Sequence, residues 1–275
     1  MATQVSAARV VFDREHRFFF ISACIMALVL VAGFSTNILF HRSTFAVPVL
    51  YHVHAVTFFG WVMLYLLQTG LVATGSRALH KRLGWLALAW VPAMVGLGTA
   101  ITLTVIRGNG GPFFFARDEF LIGNPVGILT FAGIVFWAIS LRRRTDWHSR
   151  LMLCAMASIT GPGFGRLLPM PLLMPVAWWT AAVVFPVLFI LAGMRRDKRR
   201  IGRVHPAYIW GLCLLIGTQA LAEIVAFSPA GKALGDAVTA GTPGGGAAPP
   251  WLLAPTSLIP PALPPICASI EAIRS

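Results

Sequence analysis

Charge is scarce in this chain, and carboxylates are scarcest: 11% of the 275 residues are charged, with nine Asp or Glu against 22 Lys or Arg. A water-soluble surface uses roughly a quarter of charged residues. The 57% apolar content and mean hydropathy of +0.77 therefore exclude an ordinary soluble domain. Cysteine is nearly as rare, at Cys24, Cys154, Cys213 and Cys267. With no Cys-x-x-Cys and no Cys–His ligand spacing, neither a disulfide framework nor a zinc finger is indicated, and the four read as packing residues. No lysine falls inside the long apolar runs, so a retinal Schiff base, and with it a rhodopsin, is excluded. Also missing are His-Glu-x-x-His, a credible Gly-x-Ser-x-Gly and a Gly-rich phosphate loop, the signatures of metalloproteases, serine hydrolases and nucleotide binders.

What is there is apolar sequence in lengths that cross a bilayer, about 20 residues each. Seven runs are expected to span: Phe18–Phe40, Val47–Thr74, Gly84–Ile106, Phe120–Leu141, Leu151–Pro169, Met174–Met194 and Ala207–Phe227. The fifth contains Gly161-Pro162-Gly163, which should break or kink the helix just before Arg166. The cations are sorted by side. Residues 1–17 and the loops after the second, fourth and sixth runs hold three, three, four and six Lys/Arg, leaving six elsewhere. The positive-inside rule then places the N-terminus in the cytoplasm and the C-terminus outside, in the inner membrane of a bacterial cell. The basic loops Arg142-Arg143-Arg144 and Arg195–Arg200 are accounted for by orientation and anionic headgroups, so no nucleic-acid partner is expected. The resulting expectation is an all-α membrane bundle with a cytoplasmic segment at 1–17, a transmembrane domain at 18–228 and a Gly/Pro-rich disordered tail at 229–275.

A weak repeat provides the first chemical signal. Leu79-His80-Lys81-Arg82-Leu83 opens the third run and Trp147-His148-Ser149-Arg150-Leu151 the fifth, both reading His-x-Arg-Leu. Each follows an inward-running helix, so the two hairpins form a parallel repeat. A third variant, Arg203-Val204-His205-Pro206, opens the seventh run, with Pro206 suited to a first helical turn. His80 and His148 are expected at one depth, as two axial imidazoles of one haem iron would be. The alternative is that they and Arg82 and Arg150 anchor the chain to lipid phosphates.

A second constellation is expected toward the outer face. His52 and His54 lie early in the second run, and Arg166 and Glu223 come to similar depth. Ionisable groups inside a membrane require partners, so Arg166 and Glu223 are expected to face the bundle and to pair. Positions two apart on a helix point about 200° apart, so His52 and His54 cannot both face one ligand. Arg117, Asp118 and Glu119 are expected at the rim, with Asn124-Pro125 starting the next helix.

Together these elements, Leu79–Gly84, Trp147–Met152, the downstream Arg166 and Gly202–Ala207 before Trp210-Gly211, resemble an uncharacterised bacterial family of multi-pass membrane proteins over about residues 45–220. More distantly, the chain resembles transmembrane di-haem b cytochromes and ferric reductases, which present histidines at two depths. That second likeness implies haem b and electron transfer to a partner the sequence does not name. It departs from those proteins in offering one obvious histidine pair instead of two. Three readings follow: a haem b redox protein using His80, His148, Arg82 and Arg150; a small transporter or ligand-binding protein using His52, His54, Arg166 and Glu223; or a structural accessory subunit.

Overall fold

The computed structural model describes residues 2–246, with side chains from residue 16 onward, and every regular element among them is helical. In chain order these are α1 (Ala2–Leu39), α2 (Val49–Ala73), α3 (Arg77–Gly84), α4 (Ala87–Asn109), α5 (Arg117–Ser140), α6 (Thr145–Ser158), α7 (Gly161–Leu167), α8 (Ala177–Trp179), α9 (Phe185–Ile201), α10 (Pro206–Phe227) and α11 (Pro229–Thr239). A π-helical turn, Thr180–Val184, joins α8 to α9 without a break.

Six stretches are long and apolar enough to cross a membrane: His16–Leu39, Val49–Ala73, Ala87–Asn109, Arg117–Ser140, Ala177–Ile201 and Pro206–Phe227. This makes the chain a multi-pass membrane protein. Their outward faces are as apolar as their inward ones, with Leu28, Val56 and Leu221 more than half exposed, the pattern of helices whose solvent is lipid. The expected fifth span, Leu151–Pro169, is not one of them. It is divided into α6 and α7 at Ile159-Thr160, directly before Gly161-Pro162-Gly163, because Pro162 has no N–H to continue the ladder. Thr160 is fully buried and returns its hydroxyl to the Ala157 carbonyl (2.7 Å). Irregular backbone at this depth is tolerated only inside protein, and α6–α7 is accordingly enclosed by α1, α5, α9 and α10.

Close approach is made possible by glycine at two crossings. A Cβ at Gly33 of α1 would overlap the Gly163 carbonyl of α7, and one at Gly193 of α9 would overlap the Tyr208 ring of α10. Small residues admit this kind of contact, and polar side chains hold helices together in lipid. Here Thr130 donates to Thr218 (2.9 Å) and Trp178 donates to Gln219 (3.1 Å).

Two expectations about boundaries change. Helix α5 begins at Arg117, so Pro125 lies inside it instead of starting it. The stretch expected as a disordered tail begins with α11 and a 3-10 turn, Pro243–Gly246. Ser228 caps α11 by accepting from Gly231 N–H (3.1 Å), and Asp236 holds it to Arg117 of α5 (2.7 Å). Residues 247–275 lie outside the described part.

Candidate functional site

The ionisable groups collect at two ends of the bundle. At the basic end, His80 of α3 and His148 of α6 face one another with ring centroids 6.3 Å apart and planes at 76°. His148 is fixed by a 2.8 Å hydrogen bond from Nδ1 to the Ala138 carbonyl. A carbonyl only accepts, so the proton of neutral His148 is on Nδ1 and Nε2 carries a lone pair. Gln68 of α2 holds His80: in the amide orientation that satisfies its partners, the nitrogen donates to the His80 carbonyl (3.1 Å) and Nδ1, and the oxygen accepts from Gly84 N–H (2.9 Å). The resting pair is thus a donor, Nε2–H of His80, and an acceptor, Nε2 of His148. The Arg142 guanidinium lies 5.3 Å from the Trp85 ring centroid and ties the α5–α6 loop to the end of α3.

Both imidazoles are biased toward neutrality. Burial pushes His80 below its ordinary value, helped by His148 and Lys81 and opposed by a hydrogen bond from the ring to the Gln68 backbone. Burial does the same to His148 against the Ala138 hydrogen bond. A neutral imidazole is the form that binds a metal.

The arginines of the two repeats have different surroundings. Arg82 is exposed. Arg150 is buried in a two-pronged bond to Asp197 of α9 (2.7 and 3.0 Å), and donates to the Asp146 carbonyl (3.0 Å). Arg196 also approaches Asp197 (3.6 Å). The third repeat member does something else again. His205 caps α10 by accepting from Ala207 N–H (3.2 Å), and its Nε2 meets Asp146 at 3.0 Å. Sequence reasoning passed over Gln68 and Asp197. Asp197 had one visible signal, as the lone acid in a run of five cations.

At the opposite end the expected pocket is divided. His52 is exposed. His54 is half-buried, stacks on Phe58 (centroids 4.2 Å) and is bonded to the Leu97 backbone, close enough to Arg166 for that charge to act on it. Arg166 does not meet Glu223. Its guanidinium lies 4.0 Å from the Phe34 ring centroid and donates from Nη1 to the Pro162 carbonyl (2.8 Å). Glu223 instead lies beside Glu119 of α5, carboxyl to carboxyl. Glu119 was expected at the rim and is instead 5% exposed, accepting from Ala116 N–H (3.3 Å).

No group of three or more His, Cys, Asp or Glu suited to a metal ion occurs among the described residues. Two imidazoles remain the donor set on which a cofactor reading rests. No known protein family, no curated protein and no solved structure matches this chain.

Proposed function

We propose that this chain is an inner-membrane redox protein that holds one haem b between His80 and His148. The observation that carries this reading is the opposition of the two rings at 6.3 Å from separate helices. Two metal–nitrogen bonds of about 2 Å each, with half a ring width on either side, span about 6 Å. The Nδ1 bond of His148 to Ala138 is the outer support that ligating histidines have, and it leaves Nε2 as the ligating atom. His80 requires one adjustment: Gln68 turns its amide to present oxygen to Nδ1–H, which frees Nε2. Arg82 is the arginine of the pair that can meet a propionate, since Arg150 is committed to Asp197. When bound, haem b supplies one-electron chemistry.

The same proposal assigns orientation. The segment and loops bearing sixteen of the 22 Lys/Arg face the cytoplasm and its anionic headgroups. Counting α6–α7 as one interrupted crossing gives seven crossings, N-terminus inside and C-terminus outside. The basic end carrying the histidine pair is then the cytoplasmic end, accessible to a soluble redox partner.

The decisive measurement is the dithionite-reduced minus oxidised spectrum of the detergent-purified chain after haem-supplemented expression, with a metal assay on the same sample. A stoichiometric b-type signal is expected, lost in His80→Ala and in His148→Ala and retained in Glu223→Gln. A colourless, metal-free wild type overturns the reading.

A further inference from the structure

We propose that His148 is the permanent member of the pair and His80 the exchangeable one, with Gln68 as the positioning residue that sets how readily His80 gives way to a small neutral ligand of the iron. This rests on the reading of the pair as haem ligands. The two histidines belong to helices of different standing. His148 is carried by α6, which buries Leu151, Leu153, Cys154 and Met156, and its Nδ1 is bonded to the Ala138 carbonyl (2.8 Å). That bond already places the proton on Nδ1 and the lone pair on Nε2, so His148 ligates without rearrangement.

His80 has neither advantage. Its helix, α3, is eight residues long, buries none of them and packs chiefly on α2. A helix this short takes its stability from packing, and segments with few buried contacts open first. What fixes α3 is a set of point contacts: Gln68 reaches His80 and Gly84, and the Arg142 guanidinium lies 5.3 Å from the Trp85 ring centroid just past its end. The turn from α2 into α3 passes through Gly75, at a left-handed φ of +86° and in open space, so α3 has room to withdraw.

The Gln68 amide, meanwhile, works against ligation. Two main-chain groups orient it, with the nitrogen toward the His80 carbonyl (3.1 Å) and the oxygen toward Gly84 N–H (2.9 Å). So oriented, it also donates to Nδ1, which keeps the His80 proton on Nε2, the nitrogen needed by the iron. Ligation moves that proton to Nδ1 and turns the amide, setting its oxygen against the His80 carbonyl and its nitrogen against Gly84 N–H. Two satisfied main-chain bonds become two like-with-like contacts. Nothing comparable is lost on the His148 side. When another ligand competes for an axial position, the iron therefore keeps His148 and releases His80. The exchange breaks one iron–nitrogen bond, forms one bond to the incoming ligand and moves no electron, and the released ring takes its proton back to Nε2 through water.

The test uses the full chain purified with haem in detergent, reduced with dithionite and titrated with carbon monoxide, with the spin state of the oxidised form read by electron paramagnetic resonance. Wild type is expected to be low-spin when oxidised and to bind carbon monoxide saturably when reduced. A carboxylate accepts at both of its oxygens, so Gln68→Glu keeps the Gly84 bond and accepts from Nδ1–H without turning. Its carbon monoxide affinity should fall about tenfold or more. Arg142→Gln frees the end of α3 and should raise that affinity about twofold to fivefold. A coloured wild type that does not take up carbon monoxide, or Gln68→Glu binding it as tightly as wild type, overturns the inference and leaves the haem reading standing. A colourless wild type overturns both. If Gln68→Glu does not fold, Arg142→Gln decides alone, and an affinity equal to that of wild type then overturns the inference.

Discussion

The two ends of this bundle handle charge in opposite ways. At the basic end cations are abundant, yet the buried one, Arg150, has a carboxylate in two-pronged contact, and burial biases the neighbouring imidazoles toward neutrality. At the other end Arg117 is paired with Asp118 and Asp236, but Glu119 lies beside Glu223 and Arg166 beside a phenylalanine ring. Abundance reports orientation in the membrane. Mismatch reports chemistry, because uncompensated charge in hydrocarbon is retained only where something offsets it. The large surplus of cations therefore says less about sites than a single arginine near the end of α7.

One chemical change, carboxyl to amide, separates the ends most sharply. Asp197→Asn leaves Arg150 buried against a neutral partner and should cost about 3–5 kcal/mol, measured as lost thermal stability in detergent, while Arg150→Met with Asp197→Leu recovers most of it. If Asp197→Asn is as stable as wild type, the buried ion pair is not what secures this end. The corresponding Glu223→Gln should stay within about 1 kcal/mol of wild type, since no cation is in contact with Glu223 and an amide of the same shape can donate to the neighbouring Glu119 carboxyl. A loss comparable to that of Asp197→Asn would mean that Glu223 serves a charged partner that an amide cannot replace.

The smallest effect is in pH. Folded His80 and His148 take up protons less readily than in the unfolded chain, whose histidines titrate near about 6.5. The unfolded state therefore binds more protons below that value, and stability present above it is lost as pH falls through it. Melting temperature should decline between pH 7 and pH 5, less steeply in His80→Gln. An unchanged slope in that variant would remove His80 from the pH response.

Local signals were legible and distant ones were not. Hydropathy located the six long helices to within a few residues, apart from the end of α9, whose basic last turns run on to Ile201 beyond the apolar run. The α6–α7 break could be read because proline and glycine act where they stand. His80 and His148 could be paired because the same four-residue pattern surrounds both. Nothing local joins Arg150 to Asp197, 47 residues away, or Glu119 to Glu223, and the expected Arg166–Glu223 pair followed depth without knowing which helices are neighbours. Helix α11 was hidden by its Gly- and Ala-rich composition, although Ser228-Pro229 has the cap and first-turn residues of a helix start.

The interrupted rod α6–α7 also has a consequence for biogenesis. Six helices of this chain close their own backbone hydrogen bonds and can enter lipid as independent units. The fourteen- and seven-residue pieces cannot, because the junction at Ile159-Thr160 would expose peptide groups to hydrocarbon. They settle only when α1, α5, α9 and α10 are present to receive them, and two of those four are synthesised later. The centre of the bundle is thus the last part to be completed, and a chain halted after α7 would expose its least lipid-compatible segment.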